Sequence, residues 1–197
     1  KMTSNQKLEN LFKELNLFNN FKDIFLENAQ ILKIRKNDFF LKKGEICPYI
    51  GIIKSGSIFS FFENDDAEIN VNELYSPLSL ISSYRSFLTQ FPSPASFKAN
   101  SNTEIYIIHY QQYRNLKNSI EWLNFFKAFS DALFVRKCLK DTTLMSLSTE
   151  GRYRLLIKQR RYIEQLFPQH IIASYLKMRP ETLSRLKSLD LRQGNNK

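Results

Sequence analysis

The chain has 197 residues, 43% of them hydrophobic, which is enough apolar material for a packed core and excludes a disordered chain. Cys47 and Cys138 lie far apart, which excludes a disulfide framework and an iron–sulfur cluster, and we expect a reduced, cytoplasmic protein. The apolar runs are too short to span a bilayer, so we expect no membrane partner.

The net charge of +10 is concentrated towards the end of the sequence. Residues 147–197 hold 11 basic and 4 acidic residues, a net of +7, whereas the preceding 146 residues carry only +3. This asymmetry suits a polyanionic partner. A basic but merely solvated surface is the alternative.

The first 117 residues divide into a helical start and a strand-rich part. Residues 6–28 have apolar residues at helical spacing, with a break at residues 19–20. Residues 31–109 alternate short runs rich in Ile, Phe and Tyr with turns such as KKGE and KSGS, which predicts an antiparallel sandwich or barrel. Residues 110–117 favour one or two helical turns.

A long uninterrupted helix is predicted from Ile120 to about Leu147, with Ser119 as its N-cap. Its apolar stripe needs a partner surface, and a second copy of the chain is the economical one. The candidate dimer contacts are Trp122, Phe126, Phe129, Leu133 and Leu144. Packing of the aromatic residues against the chain's own strands is the alternative.

The segment FPQHIIASYLKMRPETLSRLKS, residues 167–188, has the apolar spacing of two helices joined by a tight turn. Ile172, Leu176, Met178, Leu183 and Leu186 are predicted to pack the two helices together, with the small Ala173 at their crossing. The other face of the second helix presents polar residues at helical spacing, which a major groove could accept. These residues are Glu181, Ser184, Arg185 and Ser188.

At this point the order of parts resembles the Crp/Fnr family of bacterial transcription regulators, over nearly the whole chain. KKGEICPYIGIIKSGSI at 42–58 looks like the first hairpin of the family's cyclic-nucleotide-type barrel. QHIIASYLKMRPETLSRLK at 169–187 looks like its helix-turn-helix. GRYRLLIKQR leading into FPQHIIASYL is similar to the Bacteroidetes-type branch.

The resemblance implies which residues touch DNA. Glu181, Ser184 and Arg185 match positions that contact bases, where Arg can bind guanine and Glu can accept from cytosine. An ordinary surface ion pair between Glu181 and Arg185 is the alternative. The expected phosphate contacts are Gln169, Lys177, Arg179, Thr182 and Lys187. Arg152, Arg154 and Arg160 are expected to add backbone contacts, because no wing hairpin follows LKSLDLRQGNNK.

The resemblance also implies an effector pocket, but residues 74–99 lack the family's Gly-Glu pair and its arginine. We therefore expect no cyclic nucleotide, and the effector is unknown. We expect the barrel aromatics Phe59, Phe61, Phe62 and Phe97 to fill its interior. His109 and His170 are too few for a metal or haem site, and Cys138 is expected to be buried packing, with a thiol sensor as the alternative, so we expect neither metal nor cofactor.

Together these observations predict an α+β chain with three parts: an antiparallel β-barrel or jelly roll with flanking helices at 1–117, a central dimerisation helix at 118–147 and an all-α helix-turn-helix domain at 148–197. The predicted function is a homodimeric regulator, not an enzyme, on pseudo-palindromic double-stranded DNA, with RNA polymerase as a further partner. A small-molecule-binding barrel without specific DNA readout is the alternative. A cupin-like enzyme is disfavoured because it would need more histidine ligands.

Overall fold

The computed structural model of the protein describes residues 2–18 and 20–194, and side chains through 189; Lys1, Asn19 and residues 195–197 lie outside the described part. The first half of the chain holds the helices α1 Ser4–Glu14, α2 Phe21–Asn28, α3 Tyr84–Thr89 and α4 Tyr110–Leu116. Its strands are β1 Gln30–Ile34, β2 Phe39–Leu41, β3 Tyr49–Ser55, β4 Ile58–Glu63, β5 Ile69–Tyr75, β6 Leu80–Ile81, β7 Ser96–Ala99 and β8 Thr103–His109.

In its described residues, the second half consists of helices joined by short turns and has no strand. Its elements are α5 Ile120–Ser146, α6 Thr149–Gln159, α7 Ile163–Leu166, α8 Gln169–Tyr175 and α9 Pro180–Gly194. Ser119 is the N-cap of α5, as predicted, whereas α6 is capped by Ser148, whose hydroxyl accepts from the amide of Gly151. None of the helices in the described ranges is both long and apolar enough to cross a bilayer.

The strands form two antiparallel sheets, not a closed barrel. One sheet has the order β1-β8-β3-β6 and the other β2-β7-β4-β5, so β5 lies at a sheet edge. The turn that connects β3 of one sheet to β4 of the other depends on Gly56, which has a φ of 84° and lies too close to the backbone of Asn102 to accept a side chain. The antiparallel sheets and flanking helices are as predicted, and the closed form of the barrel is corrected to two sheets.

Two apolar clusters hold the chain together. The first joins α1, α2, the inner faces of both sheets and the first half of α5, with rings such as Phe21 and Phe125 stacked at 5.2 Å. The second lies on the outer face of β4 and β5 and joins them to α6, α7, α8 and α9. The sheets are therefore covered on both sides, and the helical second half is packed directly against the β5 edge.

Candidate nucleic-acid interface

The turn between α8 and α9 is closed by two backbone hydrogen bonds. The amide of Met178 donates to the carbonyl of Ala173 at 3.0 Å, and that of Lys177 donates to Ser174 at 3.1 Å. This is the Schellman pattern, in which the residue after the helix cap takes a left-handed conformation. Lys177 occupies that position with a φ of 55°, where glycine would be unstrained.

The residues predicted to pack the helix pair do so. Ile172, Leu176 and Leu183 are buried, and Met178 and Leu186 pack against them. Ala173 is fully buried. Its small side chain suits a close approach of the helix backbones, which a larger side chain would keep apart.

The opposite face of α9 carries the predicted base contacts. Glu181, Ser184 and Arg185 are all exposed on it. No ion pair within the described ranges joins Glu181 to Arg185, so these side chains do not neutralise each other. Ser188 on the same face donates its hydroxyl proton to the carbonyl of Ser184.

Three of the five predicted phosphate contacts have partners inside the chain. Gln169 donates to the carbonyl of Pro180 at 3.1 Å, and Lys187 pairs with Glu164 at 2.9 Å. The Lys177 ammonium donates to the carbonyl of Val71 at 3.2 Å, and burial of this group lowers its pKa. Arg179 is exposed and Thr182 is half-buried.

Two of the three additional arginines are also engaged internally. Arg152 donates to the carbonyls of Leu144, Leu147 and Leu176, which ties the end of α5 to the end of α8. Arg160 donates to Leu74 and Glu73 on β5. Arg154 is exposed and pairs with Glu150. The expectation that Arg152 and Arg160 face DNA is therefore corrected, because their donors bind backbone carbonyls and a buried carboxylate.

The β5 edge is where the two halves of the chain meet. The Ser174 hydroxyl accepts from the amide of Val71 at 2.9 Å and lies 3.3 Å from the carbonyl of Ile69, to which it donates. With Lys177 and Arg160, it satisfies edge groups that would otherwise attract another strand. Neither Ser174 nor Glu73 was among the predicted functional residues. Glu73, the single acid of β5, was the available signal of a buried ion pair.

The outer face of the second sheet carries aromatic residues that the sequence placed in its interior. Phe59 and Phe61 are buried against α6–α9, and Phe62 is exposed. Of the four predicted interior phenylalanines, Phe97 alone faces inward, where it contacts Phe40 and Tyr75. The correction follows from strand alternation, because Ile58 and Ser60 take the inward positions of β4.

The central helix packs differently from the dimer prediction. Trp122, Phe126 and Phe129 are buried in the first cluster, and Leu133 packs against it. Trp122, Phe126 and Phe129 are therefore covered by their own chain, which corrects their assignment to a dimer surface. Leu133 is only partly buried and stays a predicted dimer contact, and Leu144 lines a cavity. A different face of α5 is exposed and apolar, formed by Ile120, Leu123, Phe134, Val135, Leu139 and Met145.

The hydroxyl groups around α3, where the sequence resemblance would place a phosphate, form hydrogen bonds within the fold. The Ser82 hydroxyl donates to the carbonyl of Tyr49 at 2.9 Å, and that of Ser86 donates to Phe91 at 2.5 Å. Ser93 bonds to Ser83 and to the Ala95 carbonyl. Arg85 on α3 is exposed.

The cysteine and histidine positions give no site. Cys47 is buried, and burial raises the pKa of its thiol; Cys138 is exposed on α5, which corrects its expected burial. His109 contacts the ring of Tyr49 at the end of β8, and His170 is exposed. Within residues 2–18 and 20–194, no group of three or more His, Cys, Asp or Glu side chains could hold a metal ion.

Two packed antiparallel sheets, a long helix and a terminal helix pair define the fold found in Crp/Fnr-type transcription regulators. The chain superimposes on FixK2 from Bradyrhizobium japonicum with a TM-score of 0.71 and 18% identity, covering 84% of this chain and 86% of that one.

Two further solved structures extend the comparison. A transcriptional regulator of the Crp/Fnr family from Eubacterium rectale matches with a TM-score of 0.64 and 18% identity, over 94% of this chain and 89% of that one. The catabolite activator protein of Thermus thermophilus matches with a TM-score of 0.57 and 20% identity, over 93% and 87%. No protein-family profile and no curated protein matches the sequence. The likeness thus establishes the fold.

Proposed function

We propose that the protein is a sequence-specific, DNA-binding transcription regulator of the Crp/Fnr type, and not an enzyme. The observation that carries this proposal is the exposed polar face of α9, with Glu181, Ser184 and Arg185 on a helix whose other face is buried. Arg185 would bind guanine with both arms of its guanidinium, and Glu181 would accept from cytosine.

We further propose the three-part division at 1–117, 118–147 and 148–197, with the last part as the DNA-binding domain. Arg179, Thr182 and the amide ends of the helices would hold phosphates. Lys177, Gln169 and Lys187 would join them by exchanging their present partners for phosphate oxygens. The charge excess after residue 147 supports this assignment, because phosphate contacts supply most non-specific affinity.

The regulator would act as a homodimer through the exposed apolar face of α5. A two-fold axis along paired α5 helices would place two α9 helices about 34 Å apart, one helical turn of DNA. The site would therefore be pseudo-palindromic. A cytoplasmic location, the Bacteroidetes-type branch and contact with RNA polymerase belong to the same proposal.

We infer that a cyclic nucleotide is not the effector. The Ser82, Ser86 and Ser93 hydroxyls bind backbone carbonyls, and residues 74–99 supply no arginine near them except the exposed Arg85. A phosphate there would lack its charge-assisted contacts.

Selection of bound duplexes from a random DNA pool tests the proposal. Wild-type protein is expected to enrich a two-fold symmetric motif, and Arg185→Ala to lose discrimination at one base pair per half-site, about 1–3 kcal/mol. Arg85→Ala is the matched control, because it removes an exposed arginine from α3. Equal, weak enrichment of all sequences by wild type and Arg185→Ala would instead support a barrel module without specific DNA readout.

A further inference from the structure

A cavity of about 390 Å³ lies between α5, α6 and the end of α8, outside the space between the sheets. Its walls are mainly aliphatic, with Val135 and Leu139 from α5, Leu155 and Leu156 from α6, and Leu176 after α8. The volume lies within the range of roughly 300–1,000 Å³ that is typical of small-molecule sites. Such walls favour a hydrocarbon group over a strongly hydrated one.

The same cavity is lined by four cationic side chains: Arg136, Lys140, Arg152 and Arg160. Among the described residues in contact with them, Glu73 is the only carboxylate, and Arg136 and Arg160 share it at 3.6 and 3.3 Å. The nearby carboxylate of Asp141 is taken by Lys137 at 2.7 Å. The cavity therefore has an excess of positive charge beside apolar walls.

Lys140 has unused hydrogen-bonding capacity at the wall of this cavity. Its ammonium donates to the backbone carbonyl and to the side-chain oxygen of Asn72, both neutral groups. This carbonyl is free of the ladder because Asn72 is the extra residue of a bulge in β5: Ser60 of β4 pairs with Glu73, and the next residue, Phe61, pairs with Val71. An ammonium has three donors, so one remains for a ligand. A half-buried cation with neutral partners is stabilised by an added anion.

We propose that this cavity binds a small amphiphilic carboxylate, with its aliphatic chain against Val135, Leu139 and Leu155 and its carboxylate on the Lys140 ammonium. Leu139 and Lys140 lie on α5, whereas Leu155 and Leu176 lie on segments that lead to α9. A bound ligand would therefore bridge the long helix and the terminal helices. Occupancy of the cavity itself does not require DNA binding.

Calorimetric titration of the full chain with decanoate, below its micelle concentration, tests the proposal. Saturation at one decanoate per chain is expected, with affinity at least tenfold above that of the neutral decanol, because only decanoate forms the charge-assisted bond. Decyltrimethylammonium, which has the same tail and the opposite charge, is expected not to bind. Absence of saturation up to about 1 mM decanoate, or equal affinity for decanol, would overturn the proposal.

Two variants locate the binding. Lys140→Met is expected to weaken decanoate about tenfold and leave decanol unchanged. The control Lys137→Met lies on the same helix, has its side chain 71% exposed, and is expected to change neither. Leu155→Trp, which fills the cavity from α6, is expected to abolish binding of both ligands while circular dichroism shows a folded chain. Retained decanoate affinity in either Lys140→Met or Leu155→Trp would place the ligand elsewhere.

A second copy of the chain is the competing occupant, because Val135 and Leu139 border both the cavity and the exposed face of α5. Sedimentation with and without saturating decanoate separates the two cases. An unchanged mass supports the proposal. Conversion of dimers to monomers would show that decanoate displaces the partner chain, and the cavity would then be part of the dimer contact.

Discussion

Lys177 combines a strained backbone with a side chain that spans the two halves of the molecule. Its φ of 55° suits glycine, and a lysine there costs about 1 kcal/mol. Its ammonium recovers part of this through the bond to Val71. The Val71 partner of Lys177 could not be predicted from the sequence, because a contact across 106 positions leaves no local pattern.

Two substitutions separate the contributions of Lys177. Lys177→Met keeps the backbone strain and loses the ammonium, and we expect a loss of about 0.5–1 kcal/mol in the free energy of unfolding by urea. Lys177→Gly loses the ammonium and relieves the strain, so we expect it to be about 1 kcal/mol more stable than Lys177→Met. Equal stability of the two variants would show that the left-handed turn costs nothing here.

Tyr175 should make the fold sensitive to alkaline pH. Burial raises its pKa to about 12, with the Glu73 carboxylate acting in the same direction. An unfolded tyrosine has a pKa near 10. The folded state therefore holds the proton more tightly, so its stabilisation is complete below pH 10 and is lost as the pH rises towards 12.

We expect Tyr175→Phe to reduce the loss of unfolding free energy between pH 10 and 11 by about 1 kcal/mol relative to wild type. Tyr162→Phe is the control, because Tyr162 is 69% exposed. Tyr75, whose pKa burial also raises to about 12, remains in both variants, so some pH dependence should persist. Parallel pH profiles for wild type and Tyr175→Phe would contradict the assignment.

At the scale of one element, α5 shows what helical periodicity can and cannot predict. The spacing of its apolar residues predicted a helix from Ile120, and the helix runs from there to Ser146. The same spacing could not show which apolar face meets which partner. Phe12, Phe21 and Phe25 of α1 and α2 cover the aromatic stripe, so a second, less regular stripe remains for another chain.

We expect Phe134→Asp to shift the protein from dimer to monomer in sedimentation equilibrium at micromolar concentration. A charge on the exposed stripe of α5 would have to be buried without a partner in the dimer. Phe91→Asp is the matched control, because Phe91 and Phe134 are both 68% exposed. If both variants sediment as wild type does, dimerisation does not use this face of α5.

At the scale of the whole molecule, the second apolar cluster makes the sheets and the terminal helices one packed body. The apolar-rich run IFSFFE, with phenylalanines on both faces, indicates a strand buried on both sides, but the sequence does not say whether a sheet or helices cover its outer face. The expectation that Phe59 and Phe61 fill the interior therefore could not be checked against the position of the terminal helices. The terminal helix pair was easier to predict, because its packing residues follow one local period.

Phe61→Ala is expected to weaken this association. Truncation of a buried phenylalanine costs about 3–5 kcal/mol, and here the loss falls on the contact between β4 and the terminal helices. Amide hydrogen exchange should therefore accelerate in α6–α9 more than in β3 and β8. Phe62→Ala is the control, because Phe62 is 40% exposed. Uniform acceleration across both sheets would show that the helices contribute to the fold only as part of a single cooperative unit.

The bonds from the terminal helices to the open edge of β5 have a consequence for folding during synthesis. The strand ends at Tyr75, but Ser174 and Lys177, which occupy its open edge, are translated about a hundred residues later. At roughly 5–20 residues per second, the newly made sheet waits about 5–20 s with its edge open. During that interval a neighbouring nascent chain could pair with it, so slow translation, or a truncation before residue 170, should favour aggregation over folding.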